Sequence, residues 1–159
     1  MVEPQDLIIH HVDLLFDINS SAALGNLNCT LSRRTGKIKS FGSKGILYGT
    51  FRSDGGIALT LLGAEVLLSI RNFSRNCIVP KSEAVPFIEK SRSLFCKHVL
   101  WMGSNIFVGS EAVIINAKNQ VLAVGKSLTN NLYYSSNLDR GIAVKVREGL
   151  KGRTTEVSI

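Results

Sequence analysis

Four apolar segments of strand length crowd the second half of the chain: LFCKHVLW (94–101), EAVIINA (111–117), QVLAVGKSL (120–128) and GIAVKVRE (141–148). Only Ala117-Lys118-Asn119-Gln120 separates the middle two, which leaves room for a turn and nothing larger. In the last segment Val144 and Val146 fall on one face and Lys145 and Arg147 on the other, the period-two alternation of a half-buried strand. Several short strands at this spacing, with turn residues between them, predict a small barrel, because closing a sheet on itself removes its exposed edges.

The first half has a different texture. Gln5 to Ile18 carries apolar residues at helical spacing, with Pro4 near the start, and predicts an amphipathic helix whose core residues are Leu7, Leu14, Leu15 and Ile18. Cys29–Ser32 and Lys37–Phe41 read as strands joined by the hairpin turn Arg33-Arg34-Thr35-Gly36. GILYGTFR (45–52) is a further strand, and Ser53-Asp54-Gly55-Gly56 a turn in which Asp54 accepts backbone N–H groups. LTLLGAEVLLSI (59–70) reads as a deeply packed helix. RNFSRN (71–76) is polar and marks a boundary, after which Cys77-Ile78-Val79 opens a new strand. SEAVPFIEK (82–90) predicts a short helix with Ser82 as N-cap, interrupted by Pro86. The fold class expected is α+β: a small α/β domain over 1–75, a β-pseudobarrel over 76–152, and a loose tail over 153–159.

Charge points to a partner class. The 159 residues carry a net charge of +7, and it is unevenly spread. Residues 1–32 hold Glu3, Asp6, Asp13 and Asp17 and no Lys or Arg; residues 33–52 hold Arg33, Arg34, Lys37, Lys39, Lys44 and Arg52 and no acid. Such local asymmetry suggests a surface facing a polyanion, nucleic acid first, against the plain alternative of a solvated loop face. No uninterrupted apolar run approaches the ~18 residues of a spanning helix, so no membrane role is expected. The acidic N-terminus lacks the basic region of a secretory signal, and the three cysteines are far apart, both of which favour a cytoplasmic protein with reduced, buried thiols. No Cys-x-x-Cys and no Cys/His cluster occurs, so neither metal nor cofactor is expected.

Gly125-Lys126-Ser127 ends like a phosphate-binding P-loop, but the loop needs a glycine where Gln120 stands and a helix where SLTNNLYYSSN follows. Nucleotide hydrolysis is excluded on those grounds. Cys96, between Phe95 and Lys97 in a strand, is expected to point inward and not to serve as a nucleophile.

The short helix, FCKHV, the Gly109-Ser110-Glu111 turn, VLAVGKS and RGIAVKVREG, in that order over about residues 77–152, resemble the PUA domain, a small RNA-binding pseudobarrel. SRRTGKIK, a strand and SDGGIALTLLGAEVLL resemble the domain that precedes PUA in archaeal archaeosine tRNA-guanine transglycosylases. The likeness covers only the RNA-binding C-terminal region of those enzymes, since 159 residues cannot hold a barrel of about 250. It implies a non-catalytic tRNA-gripping module, and as a partner a separate transglycosylase catalytic subunit. The chain departs from the family in having Val108-Gly109-Ser110-Glu111 in place of Pro-Gly-Asp-Glu, WMGSN (101–105) in place of a more acidic stretch, and His98 where an aromatic or aliphatic residue is common.

The resemblance implies RNA contacts at Lys97, Gly109, Gly125, Lys126, Arg140, Lys145 and Arg147. The hairpin adds Arg33, Arg34, Lys37 and Lys39 as a phosphate clamp. Gly125 has two readings, close approach of a ligand or relief of crowding at a barrel corner. Trp101 and Tyr133-Tyr134 either stack on bases or pack inside the protein. The rival functions are a ribosome-assembly factor, a small RNA-modifying enzyme and a protein-interaction module.

Overall fold

The computed structural model describes residues 2–131 and 141–152. The chain divides into two compact units, Met1–Phe73 and Ser74–Ile159. Arg140, Tyr133, Tyr134 and the 153–159 tail lie outside the described residues.

The first unit opens with α1 (Pro4–Phe16), which carries Pro4 in its first turn, where a missing N–H costs nothing, and stops at Asp17 in the left-handed conformation. Its buried stripe is Ile8, Val12 and Phe16, at i, i+4, i+8. The expected core set is corrected here: Leu7 is 50% and Leu14 85% exposed, and Leu15 is also exposed. The helix has two apolar stripes, and the aromatic one is turned inward, where Phe16 packs against Phe73. α2 (Ser21–Leu24) leads into a meander of β1 (Asn28–Leu31), β2 (Ile38–Ser43), β3 (Ile46–Phe51) and β4 (Ile57–Leu59), each antiparallel to the next. The turn before β4 forms as expected, with Asp54 Oδ1 accepting the Gly56 N–H at 2.8 Å. β4 takes Leu59, the first residue of the expected helix; α3 (Leu61–Leu68) starts after it, capped by Thr60, whose hydroxyl accepts the Gly63 N–H.

The second unit contains β5 (Cys77–Pro80), α4 (Val85–Glu89), β6 (Leu94–Phe95), β7 (Val99–Met102), β8 (Glu111–Ile115), β9 (Val121–Ser127) and β10 (Ile142–Gly149). The sheet order is β6-β10-β9-β8-β5-β7, antiparallel except for β5 with β8. β6 and β7 occupy opposite ends of that order, yet only Cys96–His98 separate them. Two sheet edges joined by three residues must lie side by side, so the sheet is a nearly closed barrel. The core inside it is built from Ile78, Ile88, Leu94, Ile114, Leu122 and Val144.

The expected single strand over 94–101 is therefore two strands. Cys96–His98 form a 3-10 turn, and the Cys96 N–H donates to Gly141 O at 3.0 Å as the chain leaves β10 to join β5. The expected helix over 82–90 is also revised. Ser82–Ala84 form a 3-10 turn, Ser82 is not an N-cap, and Pro86 sits in the first turn of α4, starting that helix instead of interrupting it. Cys77 and Cys96 are buried, whereas Cys29 is half-buried on β1, less enclosed than expected.

Candidate nucleic-acid interface

Gly125-Lys126-Ser127 lies inside the strand β9 and not in a loop. Ser127 is buried; its hydroxyl donates to Thr129 O and its carbonyl accepts the Gly109 N–H at 2.8 Å. Gly125 is buried as well, and a Cβ there would sit 2.3 Å from Lys145 O and 2.9 Å from Val146 Cα. No side chain fits against a backbone that close, so crowding between β9 and β10 suffices to require glycine at this position.

Lys126, the next residue, points outward, as does Lys145, its direct register partner on β10. Cβ atoms of directly opposed residues lie only about 5 Å apart, so the two lysine side chains leave the sheet next to each other. Gly109 adjoins this pair. Its φ of +88° is one that favours glycine, and an added Cβ would meet only Lys126 Cε, at 3.8 Å. Lys97 is exposed in the turn after β6, the strand on the other side of β10. The structure thus brings Gly109, Lys126 and Lys145 together and sets Lys97 on the neighbouring strand's end.

Arg147 is placed differently. Both of its terminal nitrogens donate to the carboxylate of Glu111, one at 3.0 Å to Oε1 and the other to Oε2. The Glu111 side chain is only 2% exposed, while that of Arg147 is 38% exposed. Glu111 is the residue that the sequence reading missed as a site component. It starts β8 in register with Lys126, so the ion pair spans β9 and ties β8 to β10. Much of Arg147's charge is thereby neutralised inside the protein. Trp101, on β7, is 45% exposed, more open than a packing residue.

In the first unit, Arg33, Arg34 and Lys37 are exposed on the turn between β1 and β2, and Lys39 is exposed on β2. The turn is ordered by its own bonds: the Ser32 N–H donates to Lys37 O and the Gly36 N–H to Ser32 O, both at 2.8 Å, with Gly36 at φ +69°. Among the described residues none of these four cations pairs with an acid. Among the described residues no helix is long and apolar enough to cross a membrane. The buried thiols carry no nucleophilic character: burial pushes Cys77 up to about 12 and also raises Cys96, so both stay protonated near neutrality.

Comparison with known proteins matches this geometry to a family. The PUA domain model matches residues 77–150. The tRNA-guanine(15) transglycosylase of Thermococcus onnurineus is 36% identical over 122 residues, 76% of this chain and 21% of that enzyme. The enzyme of the same name from Methanobrevibacter smithii is 29% identical over 142 residues, 87% of this chain and 21% of that one. The chain therefore spans about a fifth of the length of these curated relatives. A hypothetical protein of Pyrococcus horikoshii shares the fold at a TM-score of 0.71 and 17% identity, over 96% of this chain and 93% of that one. A PUA domain of Aeropyrum pernix does so at 0.59 and 18%, over 74% and 65%. Residues 77–150 are a PUA domain, and 76–87% of the chain is similar to a region that makes up about a fifth of the tRNA-guanine(15) transglycosylases.

Proposed function

We propose that this chain is a non-catalytic RNA-binding module that grips structured RNA, tRNA first, and serves tRNA modification beside a separate transglycosylase catalytic subunit. The observation that carries the reading is the outward pair Lys126 and Lys145, held in register on adjacent strands of the PUA barrel beside Gly109. Two cations fixed at this spacing concentrate positive charge on a rigid surface, which suits the phosphate backbone of a folded RNA recognised by shape. The similarity to tRNA-guanine(15) transglycosylases over three quarters of the chain supports tRNA as the RNA class. The matched region is about a fifth of those enzymes, and the reading takes from them RNA binding and not catalysis.

The test compares affinity for total tRNA with that for a length-matched unstructured RNA, at low and moderate salt. The Lys126→Glu/Lys145→Glu variant should lose tRNA affinity at least about tenfold. Its salt dependence should flatten by about one to two released counterions. Equal binding of both RNAs, unmoved by the double change, would refute the reading.

A further inference from the structure

Four cations of the first unit, Arg33, Lys37, Lys39 and Arg52, line an open groove of about 1220 Å³. One side is the β1–β2 hairpin, with Arg33, Lys37 and Lys39; the other is formed by Leu7 and His11 of α1 and by Phe51, Ser53 and Gly55. Among the described residues, no acidic one lines it. Arg52 contributes as well, its Nε 3.4 Å from the Asp54 carboxylate. The volume exceeds the ~300–1,000 Å³ that a drug-sized ligand fills, so the groove has room for a chain segment, not one small molecule.

The walls are not purely basic. Leu7 and Leu31 are 50% and 53% exposed there, and Ile38 and Phe51 lie beside them. The apolar wall is also rigid. His11 packs edge-on against Phe51 with ring centroids 5.0 Å apart, and its Nε2 lies 2.7 Å from Gly55 O, which ties α1 to the β3–β4 turn. Opposite it, Thr30 and Ser40 share a hydrogen bond of 2.6 Å across the hairpin. Little reorganisation is needed before a ligand enters.

Cations and exposed apolar side chains share this groove, Leu31 on the same hairpin as the cations and Leu7 and Phe51 across from it, which suits a ligand with both chemistries in one strand. A nucleic-acid duplex presents phosphate and sugar and keeps its base faces stacked inside, so it leaves Leu7 and Leu31 in water. A single strand presents phosphates along one edge and unstacked bases along the other, which is how single-stranded nucleic acid is usually held. We propose that this groove binds a single-stranded segment of RNA, phosphates toward Arg33, Lys37 and Lys39 and bases against Leu7, Leu31 and Phe51. The choice of RNA among polyanions rests on the function proposed above; the single-stranded form rests on the groove alone.

The probe is a fluorescent oligouridylate of about six nucleotides, within the ~4–16 that small nucleic-acid domains cover. Lys37→Glu/Lys39→Glu should weaken its binding about tenfold, since two phosphate contacts reverse sign. Leu7→Ser/Leu31→Ser, which keeps every charge and alters only exposed positions, should weaken it at least about threefold, a fraction of the ~1–3 kcal/mol per stacked base. Lys126→Glu/Lys145→Glu should weaken it less than Lys37→Glu/Lys39→Glu does. Competition by an RNA duplex or by polyglutamate as effective as unlabelled oligouridylate would overturn the proposal, as would indifference to the leucine changes. The two readings fail separately: oligouridylate binding that survives when tRNA binding is absent keeps the groove and removes the barrel-face function, and the reverse result does the opposite.

Discussion

Removing Arg147 should damage the barrel more than it damages RNA binding. Its guanidinium compensates a carboxylate that is 2% exposed, on a strand two places away in the sheet. Cutting a buried pair on one side leaves the other charge uncompensated, at a typical cost of ~3–5 kcal/mol. Arg147 is itself 38% exposed, so water reaches the vacated site and the lower end, about 3 kcal/mol, applies. With a urea m-value near ~1.5 kcal/mol/M, the unfolding midpoint of Arg147→Met should fall by about 2 M. Glu111→Gln/Arg147→Met removes both charges at once and should recover most of that loss, giving a coupling energy of about 2 kcal/mol in a double-mutant cycle. Urea unfolding followed by circular dichroism measures each term. The argument fails if Arg147→Met shifts stability by less than about 1 kcal/mol while lowering tRNA affinity as much as Lys126→Glu/Lys145→Glu; Arg147 would then be a phosphate ligand that merely rests on Glu111.

Gly125→Ala should cost about 1–3 kcal/mol, because its Cβ meets the Lys145 and Val146 backbone and β9 must move from β10. Unchanged stability with lost tRNA affinity would instead return Gly125 to the ligand surface. Cys77 supplies a pH signature. Its thiol is held up to about 12 by burial, against about 8.5 in an unfolded chain, so the folded state binds the proton more tightly. That contribution is intact below about pH 8.5 and erodes as pH rises toward 12, by up to ~1.4 kcal/mol per unit. Stability measured at pH 8 and 10.5 should therefore drop less in Cys77→Ala than in the wild type, and equal drops would refute the assignment.

The parts of this structure that could be read from sequence are those governed by local rules. β8, β9 and β10 are apolar runs bounded by turn residues, and the alternation of Val144, Lys145, Val146 and Arg147 gives their exposure directly. What escaped depends on contacts between distant residues. α1 carries two apolar stripes, and only the sheet beneath it selects Ile8, Val12 and Phe16 over Leu7 and Leu14. The break between β6 and β7 contains no Gly or Pro; it follows from Leu94 and Phe95 pairing with β10 while Val99 pairs with β5. β4 is hidden because Ile57-Ala58-Leu59 runs into an apolar helix without punctuation.

The same division separates the candidate site's components. Lys126 and Lys145 were nameable individually, but their adjacency is a property of register. Glu111 and Arg147 are 36 positions apart, and no local pattern links them. Once linked, they change what the basic face is. On the outward face of β9 and β10, Arg147 is engaged by the Glu111 carboxylate, and Lys126 and Lys145 stand in register with each other. A basic residue in a strand is read as a ligand contact only with its partners inside the protein in view, and for Arg147 the Glu111 carboxylate sets an architectural role beside the recognition role, which the urea and tRNA measurements separate.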